Sequence, residues 1–161
     1  MKSETFSIKV NHKIKPFHKI IEVDSDKSLS IRSFLIGSIC QNISTVTNVL
    51  ESEDVLSTIQ ACRKLGVKIV KSKKGNYKIF GKGLGSFFAK KNTNLNFGNS
   101  GTLARLLLAL LATTPNIDVK VRGDNSLNKR NMRKLIELMS EFGATFMPKK
   151  KISFPFENDF I

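Results

Sequence analysis

Glycines and small polar residues separate a short β-like run from an apolar helical run in NLNFGNSGTLARLLLALLATTPN, residues 94–116. The predicted helix start exposes backbone N–H groups without intrahelical partners, and the helix dipole adds about half a positive charge there. Such an end binds anions. Gly98 and Gly101 would let the backbone approach a ligand closely, because neither carries a Cβ atom.

Three polar side chains of this turn, those of Asn99, Ser100 and Thr102, could cap the helix or bond to the ligand. The turn matches neither the Walker A pattern nor the G-x-G-x-x-G fingerprint. Plain capping therefore remains an alternative to anion binding.

A second candidate anion site lies in DSDKSLSIR, residues 24–32. Lys27 and Ser28 fall at a predicted helix N-terminus, and Arg32 lies one turn further on the same face as Ser28. A cation, a hydroxyl and a guanidinium in this arrangement are typical of a phosphate-binding constellation.

A third group of cations lies in GDNSLNKRNMRKL, where Lys129, Arg130 and Arg133 fall near the predicted start of another helix. An arginine fork there could hold a carboxylate or a phosphate. Each of the three groups alone is typical of a solvated surface. Together they predict a shared anionic pocket.

Hydrophobic periodicity predicts the elements that position these residues. A helix over 27–40, capped by Asp26, is followed by a strand over 44–50 and a helix over 52–66 that begins after Ser52 and ends at Gly66. VKIVKS and NYKIFG then predict two strands around the turn Lys74-Gly75.

The same order recurs further along the chain. TLARLLLALLA predicts a helix, NIDVKVRG a strand, NKRNMRKLIELMSEFG a second helix ending at Gly143, and ATFMPK another strand. Gly66 and Gly143 fall at corresponding points, as do Arg32 and Arg105. The pattern indicates an internal repeat of a βαβαββ-like unit and an α+β fold.

Composition limits the possible functions. The chain has 161 residues, enough for one folded unit, and 27 Lys and Arg against 13 Asp and Glu give a net charge of +14. That charge favours anionic partners, although runs such as KSKKGNYK are also typical of a solvated surface. No apolar run approaches the length of a membrane span, and no secretory signal is visible, so we expect a cytoplasmic protein with no membrane partner. The spacing of Cys40 and Cys62 favours reduced thiols and no metal site.

The chain resembles the EPSP synthase (3-phosphoshikimate 1-carboxyvinyltransferase) family over residues 16 to about 150. Four motifs carry the resemblance: DKSLSIRSFLIGS at 26–38, SEDVLSTIQACRKLGV at 52–67, NFGNSGTLARLL at 96–107 and GDNSLNKRNMRKLIELMSEFGA at 123–144. The Asn-Ser-Gly-Thr-x-x-Arg stretch is characteristic of this family rather than of the related UDP-N-acetylglucosamine enolpyruvyl transferases.

The resemblance implies transfer of the enolpyruvyl group of phosphoenolpyruvate to the 5-hydroxyl of shikimate 3-phosphate, with release of phosphate. The reaction belongs to the shikimate pathway, which leads to chorismate and the aromatic amino acids. It implies no metal and no organic cofactor, and family members are usually monomeric.

Carried over residue by residue, the resemblance divides the site between two substrates. It implies that Lys27, Ser28 and Arg32 bind shikimate 3-phosphate. It also implies that phosphoenolpyruvate is bound by Lys27, Asn99, Gly101, Thr102 and Arg130.

The implied fold is an inside-out α/β barrel, or alpha-beta prism, of repeated βαβαββ units, and it is incomplete here. Residues 1–20 would hold a first strand, near residues 4 to 10, that belongs to the other domain. Residues 21–150 would form two units of the N-terminal domain, and residues 151–161 a truncated tail.

Two departures from the family pattern affect these expectations. Asn131 replaces the proline that usually follows the Lys-Arg pair, so the backbone at Arg130 is less constrained. Family members are more than twice as long, and their acid/base carboxylates come from later segments. We therefore expect no catalytic residue in this fragment and no activity of the fragment alone.

Three hypotheses follow. The chain is the N-terminal part of an EPSP synthase, or a basic module that binds nucleic acid or phosphorylated ligands without catalysis, or a partner that completes its sheet with a separately encoded second half. One Tyr and no Trp disfavour a stacking platform, so we expect no specific nucleic-acid partner.

Overall fold

Helices alternate with short strands along the part of the chain that the computed structural model describes, residues 7–9, 11, 15–16, 18–21, 23–147, 153–154 and 156–158. The helices are α1 (Lys27–Ile39), α2 (Glu53–Lys64), α3 (Gly101–Ala112), α4 (Asn125–Asn128) and α5 (Arg133–Glu141). The strands are β1 (Ile43–Val46), β2 (Lys68–Lys73), β3 (Asn76–Phe80), β4 (Asn94–Asn96), β5 (Val119–Arg122) and β6 (Phe156–Asn158).

The first sheet has the order β1-β3-β2, and β3 pairs antiparallel with both neighbours. β3 is thus the central strand, and it lies between β1 and β2, the two strands that α2 connects. Gly75 has φ +70°, as the predicted turn between β2 and β3 requires. β1 ends at Val46, earlier than the predicted residue 50, since Asn48 adopts φ +55° and turns the chain.

The second sheet has the order β4-β5-β6, with β4 parallel and β6 antiparallel to β5. In both halves of the chain, a helix is followed by a strand, and a later strand pairs with that strand in the antiparallel direction. In the first half, α1 precedes β1, which pairs with β3. In the second half, α3 precedes β5, which pairs with β6. The two halves thus share part of one chain path. Sequence reasoning assigned residues 151–161 to a tail and did not predict β6.

The helices hold the core together. α1 packs against α2 and α3, and α3 also packs against α5. Phe34 of α1 and Leu107 of α3 are fully buried, and Phe34 makes an edge-to-face contact with Tyr77. The leucine-rich face of α3 is therefore core. Leu29, on the outer side of α1, is 63% exposed.

The helix predicted over 128–143 is too long: α5 covers only Arg133–Glu141, and the short helix α4 ends at Asn128, so a break at residues 129–132 separates the two. Asparagine side chains account for the break because they compete for backbone groups. The Oδ1 atom of Asn128 accepts from Gly123 N at 2.9 Å, and the Oδ1 atom of Asn131 accepts from Arg133 N at 2.8 Å. The helix end at Gly143, with φ +92°, is as predicted.

The strand predicted for ATFMPK is absent from residues 144–147, where only Met147 forms a bridge. Residues 148 and 149 lie outside the described part of the chain. The first strand expected near residues 4 to 10 falls mostly outside it as well, and residues 7–9 are not in a strand.

A hydrogen-bonded carboxylate fixes the chain just before α2. Glu51 accepts from Lys71 Nζ at 2.8 Å, from Gly75 N at 2.8 Å and from the Tyr77 hydroxyl at 2.7 Å. The bond from Lys71, then those from Gly75 and Tyr77, lower the pKa of Glu51 from 4.5 to about 2. This network ties the start of α2 to the β2–β3 hairpin.

The N-terminus of α2 differs from the sequence expectation in one detail. Ser52 occupies the N-cap position, as predicted, but its side chain accepts no capping bond. Its Oγ atom is buried and has no hydrogen-bond partner in the described structure. Cys40 and Cys62 are both free thiols.

Candidate functional site

The turn between β4 and α3 is shaped by a left-handed glycine and a buried cap. Gly98 has φ +55°, and its N–H donates to Asn96 Oδ1 at 3.1 Å. Ser100 is fully buried, and its Oγ atom accepts from Leu103 N at 3.2 Å. Capping thus occupies Ser100 alone among the polar side chains of the turn, while Asn99 is exposed and Thr102 half-buried.

Two guanidinium groups converge on the first residue of α3. A Cβ atom built on Gly101 would lie 2.5 Å from Nη1 of Arg130 and 3.2 Å from Nη1 of Arg105. Both arginines are exposed, whereas Gly101 is buried. The start of α3 therefore combines backbone N–H groups that lack helical partners with two nearby positive charges, an arrangement that favours binding of an anion.

Arg130 is held in this place by a residue of the turn. Its Nη2 atom donates to Asn99 Oδ1 at 3.1 Å, a bond between residues 31 positions apart in the chain. The structure therefore brings Arg130 to the Asn99–Thr102 turn, although Arg130 lies in the link between α4 and α5 and not at a helix start.

Lys129, Arg130 and Arg133, which the sequence groups together, lie in different local surroundings in the structure. Lys129 is the C-cap residue after α4, and Arg133 begins α5, where its Nε atom pairs with Glu137 Oε1 at 2.7 Å on the same helix. Arg105 supplies the second guanidinium beside Gly101 instead. A cleft of about 300 Å³ continues from Arg105 and is lined by Arg133 and Lys134, which extends the positive surface.

The second candidate group lies on α1. Asp26 caps the helix as predicted, and Leu29 N donates to its Oδ1 atom at 2.6 Å. Lys27 and Arg32 are exposed and Ser28 is half-buried. Lys27 Nζ pairs with Asp54 Oδ2 at 2.8 Å, so its position is set by the first turn of α2.

Helix α2 connects the two groups. Asp54 binds Lys27 at one side, and a Cβ atom built on Gly98 would lie 3.2 Å from the Oγ atom of Ser57. Asp54 and Ser57 are three residues apart and share a helix face. Within the described residues, the starts of α1, α2 and the turn before α3 are thus contiguous, and Lys27 and Gly98 border the same stretch of surface.

Sequence reasoning missed three residues of this cluster. The sequence pattern gives Arg105 only as the counterpart of Arg32, and it gives Asp54 no role in the site. Asp124 was not singled out, although its Oδ2 atom accepts from Asn99 Nδ2 at 2.9 Å. The one available signal was the i,i+4 spacing from Gly101 to Arg105, which places both on one helix face.

The described residues contain no group of three His, Cys, Asp or Glu side chains that could hold a metal ion. They also contain no helix long and apolar enough to cross a membrane. What the cluster offers chemically is cations, backbone N–H groups and an amide around a small buried glycine, and these groups bind phosphate and carboxylate oxygens.

Comparison with known proteins decides the family. The family model described as EPSP synthase (3-phosphoshikimate 1-carboxyvinyltransferase) matches residues 11–158. The chain belongs to the EPSP synthase family. The 3-phosphoshikimate 1-carboxyvinyltransferase of Oceanobacillus iheyensis is 44% identical over 134 residues, which are 83% of this chain and 30% of that relative. The enzyme of the same name from Streptococcus pyogenes is 40% identical over 140 residues, which are 87% of this chain and 32% of that relative.

A solved structure agrees with the sequence relatives. EPSP synthase from Acinetobacter baumannii superposes with a TM-score of 0.77 at 36% identity, over 86% of this chain and 31% of that structure. The α+β fold and the resemblance predicted from the motifs are therefore confirmed. The chain spans about 30% of the length of the EPSP synthases that it matches.

Proposed function

We propose that this chain forms part of the substrate site of an EPSP synthase. The whole enzyme would transfer the enolpyruvyl group of phosphoenolpyruvate to the 5-hydroxyl of shikimate 3-phosphate and release inorganic phosphate, with no metal or organic cofactor. Both substrates are anions. The convergence of Arg130 and Arg105 on Gly101, at the N-terminus of α3, is the observation that carries the proposal.

Phosphoenolpyruvate would bind at the start of α3. Arg130 pairs with its charged oxygens, the α3 N-terminus around Gly101 and Thr102 donates backbone N–H groups, and Asn99 supports Arg130. Lys27 reaches the same stretch of surface from α1, since its partner Asp54 lies one helical turn from Ser57, beside Gly98. It would contact both substrates.

Shikimate 3-phosphate would bind beside it at the start of α1. Ser28 and Arg32 share one face of the helix, four residues apart, and both are accessible at least in part. A hydroxyl and a guanidinium with this spacing suit a phosphate group, whose oxygens accept from both.

The proposal also includes the family's architecture. Residues 21–150 would be two βαβαββ units of the N-terminal domain in an inside-out α/β barrel, and residues 1–20 would belong to the other domain, with residues 151–161 as a tail. The shared path of the two halves and the 30% coverage of relatives support this division. The general acid and base would then come from segments outside this chain, so the chain alone would have no transferase activity.

Calorimetric titration of the chain with shikimate 3-phosphate and phosphoenolpyruvate tests the proposal. Arg130→Ala should lower the phosphoenolpyruvate affinity by about 1.5–3 kcal/mol, the usual contribution of a hydrogen bond to a charged group. Arg63→Ala is the matched control, because Arg63 is exposed near the C-terminal end of α2, where its Nη2 atom donates to Ile69 O at 2.7 Å. Equal losses for the two variants, or binding that Arg130→Ala leaves unchanged, would contradict the assignment.

A basic module that binds nucleic acid or other phosphorylated ligands is the second candidate, and the net charge of +14 favours it. If the positive charge is only a solvated surface, without a dedicated site, the binding of DNA should be independent of base sequence and should weaken steeply as the salt concentration rises. Tight, sequence-selective binding of DNA at physiological salt, unaffected by shikimate 3-phosphate, would support this candidate against the metabolic one.

A further inference from the structure

The side-chain amide of Asn99 lies between two opposite charges. Its Oδ1 atom accepts from Arg130 Nη2 at 3.1 Å, and its Nδ2 atom donates to Asp124 Oδ2 at 2.9 Å. An ionised carboxylate only accepts hydrogen bonds, and a guanidinium only donates them. One orientation of the amide therefore satisfies both neighbours, and the reverse orientation satisfies neither.

We infer that Asp124 is a positioning residue of the anion site, because it fixes the amide of Asn99 in the orientation that keeps Arg130 beside Gly101. The inference rests on the proposed function and deepens it. Asp124 itself need not touch the substrate.

Asp124 is well fixed for this purpose. Its Oδ1 atom accepts from Leu127 N at 2.7 Å and caps α4, and Leu127 is fully buried. Its backbone N–H donates to Gly98 O at 2.8 Å, which ties the β5–α4 link to the turn before α3. One carboxylate oxygen is thus held by the helix, and the other remains for Asn99.

The intervening amide explains why an acidic residue can stand so near a site for anions. In the described part of the chain, Asp124 and Arg130 form no salt bridge, and Asn99 joins them. A direct ion pair would offset the charge of Arg130. The relay fixes the guanidinium and leaves its remaining N–H groups to face a ligand.

A helix cap alone would not require this residue type. Asparagine caps a helix about as well as aspartate does, since one side-chain oxygen is sufficient. In Asp124→Asn, the cap would take the oxygen and turn an NH₂ group towards the NH₂ group of Asn99. Two donors would face each other, so Asn99 would lose its fixed orientation and Arg130 its support.

The sign of the effect separates positioning from simple electrostatics. Removing a negative charge near an anion site should strengthen anion binding, as Coulomb's law requires. Loss of positioning should weaken it, by about two- to tenfold for one hydrogen bond of ordinary net strength. Asp118→Asn is the matched control, because it removes the same charge from an exposed residue that has no part in the relay.

The experiment is a calorimetric titration of phosphoenolpyruvate into the wild-type chain, Asp124→Asn and Asp118→Asn, with urea midpoints measured in parallel. We expect weaker binding for Asp124→Asn alone, and the urea midpoints should show that this variant is still fully folded under the conditions of the titration. Asp124→Ser, which keeps a capping oxygen and lacks the second one, should weaken binding equally and serves if Asp124→Asn does not fold. Binding by Asp124→Asn as tight as wild type, or tighter, overturns the inference.

Side-chain NMR keeps the inference separate from the proposed function. If the wild-type chain does not bind phosphoenolpyruvate, the proposed function fails, and the amide resonances of Asn99 decide the inference. We expect them to shift and broaden in Asp124→Asn and to stay in place in Asp118→Asn. Unchanged Asn99 resonances in Asp124→Asn would refute the positioning role.

Discussion

A methyl group added at Gly101 should separate ligand binding from stability. The Cβ atom of Gly101→Ala would lie 2.5 Å from Nη1 of Arg130, and an ordinary van der Waals contact is 3.4–4 Å. The guanidinium must therefore move by roughly 1 Å. Arg130 is a long, exposed side chain, so the movement itself costs little.

The expected change in unfolding free energy is small because two effects oppose each other. The 3.1 Å bond from Arg130 to Asn99 would be lost, at a cost of about 0.5–1.5 kcal/mol for a typical hydrogen bond. Alanine in place of glycine in a helix returns up to about 1 kcal/mol. Phosphoenolpyruvate affinity should fall by about 1.5–3 kcal/mol, since a charged hydrogen bond to the ligand is displaced.

Urea unfolding and calorimetry on the same variants measure both quantities, with Gly37→Ala as the control. Gly37 is a buried glycine within α1, and a Cβ atom there would lie 2.9 Å from Cδ1 of Ile79. Overpacking should lower its stability by about 1–3 kcal/mol and leave ligand affinity unchanged in folded protein. If Gly101→Ala binds as tightly as wild type, the assignment of Arg130 and Gly101 to one site is refuted.

Three further variants test the scaffold of the site. Leu107→Ala should lower the unfolding free energy by about 2–5 kcal/mol, because Leu107 is fully buried, while Leu138→Ala should lower it far less, because Leu138 is 49% exposed. Equal urea midpoints for these two variants would refute the position of α3 in the core. Ser100→Ala should cost about 0.5–2 kcal/mol through loss of the buried cap, and a loss no larger than that of exposed Ser126→Ala would contradict it. Glu51→Gln should be less stable than wild type at pH 7, because the pKa of Glu51 is lowered from 4.5 to about 2 in the folded protein. The difference in unfolding free energy should shrink as the pH falls through that range, and a difference independent of pH would argue against the network.

Local chemistry made several features of the site predictable from the sequence. Asp26 and Ser100 act as caps because N-cap preferences depend on a few neighbouring residues. The helix end at Gly66, with φ +87°, follows from the same short-range physics. These signals indicated where helix starts would lie, and hence where anions could bind.

Contacts across the fold were beyond the reach of these signals. Asn99 meets Arg130 and Asp124 through the pairing of β4 with β5, and no spacing in the sequence reports that distance. The break between α4 and α5 was also missed, because apolar periodicity over 128–143 hides the competing bonds of Asn128 and Asn131.

Mapping both substrates onto the ¹⁵N-labelled chain by NMR tests the central claim most directly. Shikimate 3-phosphate and phosphoenolpyruvate, added together, should shift the backbone amides of residues 27–32 and 98–102 and the side chain of Arg130. Amides of the lysine-rich stretch 71–78 should stay in place. Shifts that spread over the lysine-rich stretch and spare residues 98–102 would contradict the account and indicate a surface that attracts anions only through its charge.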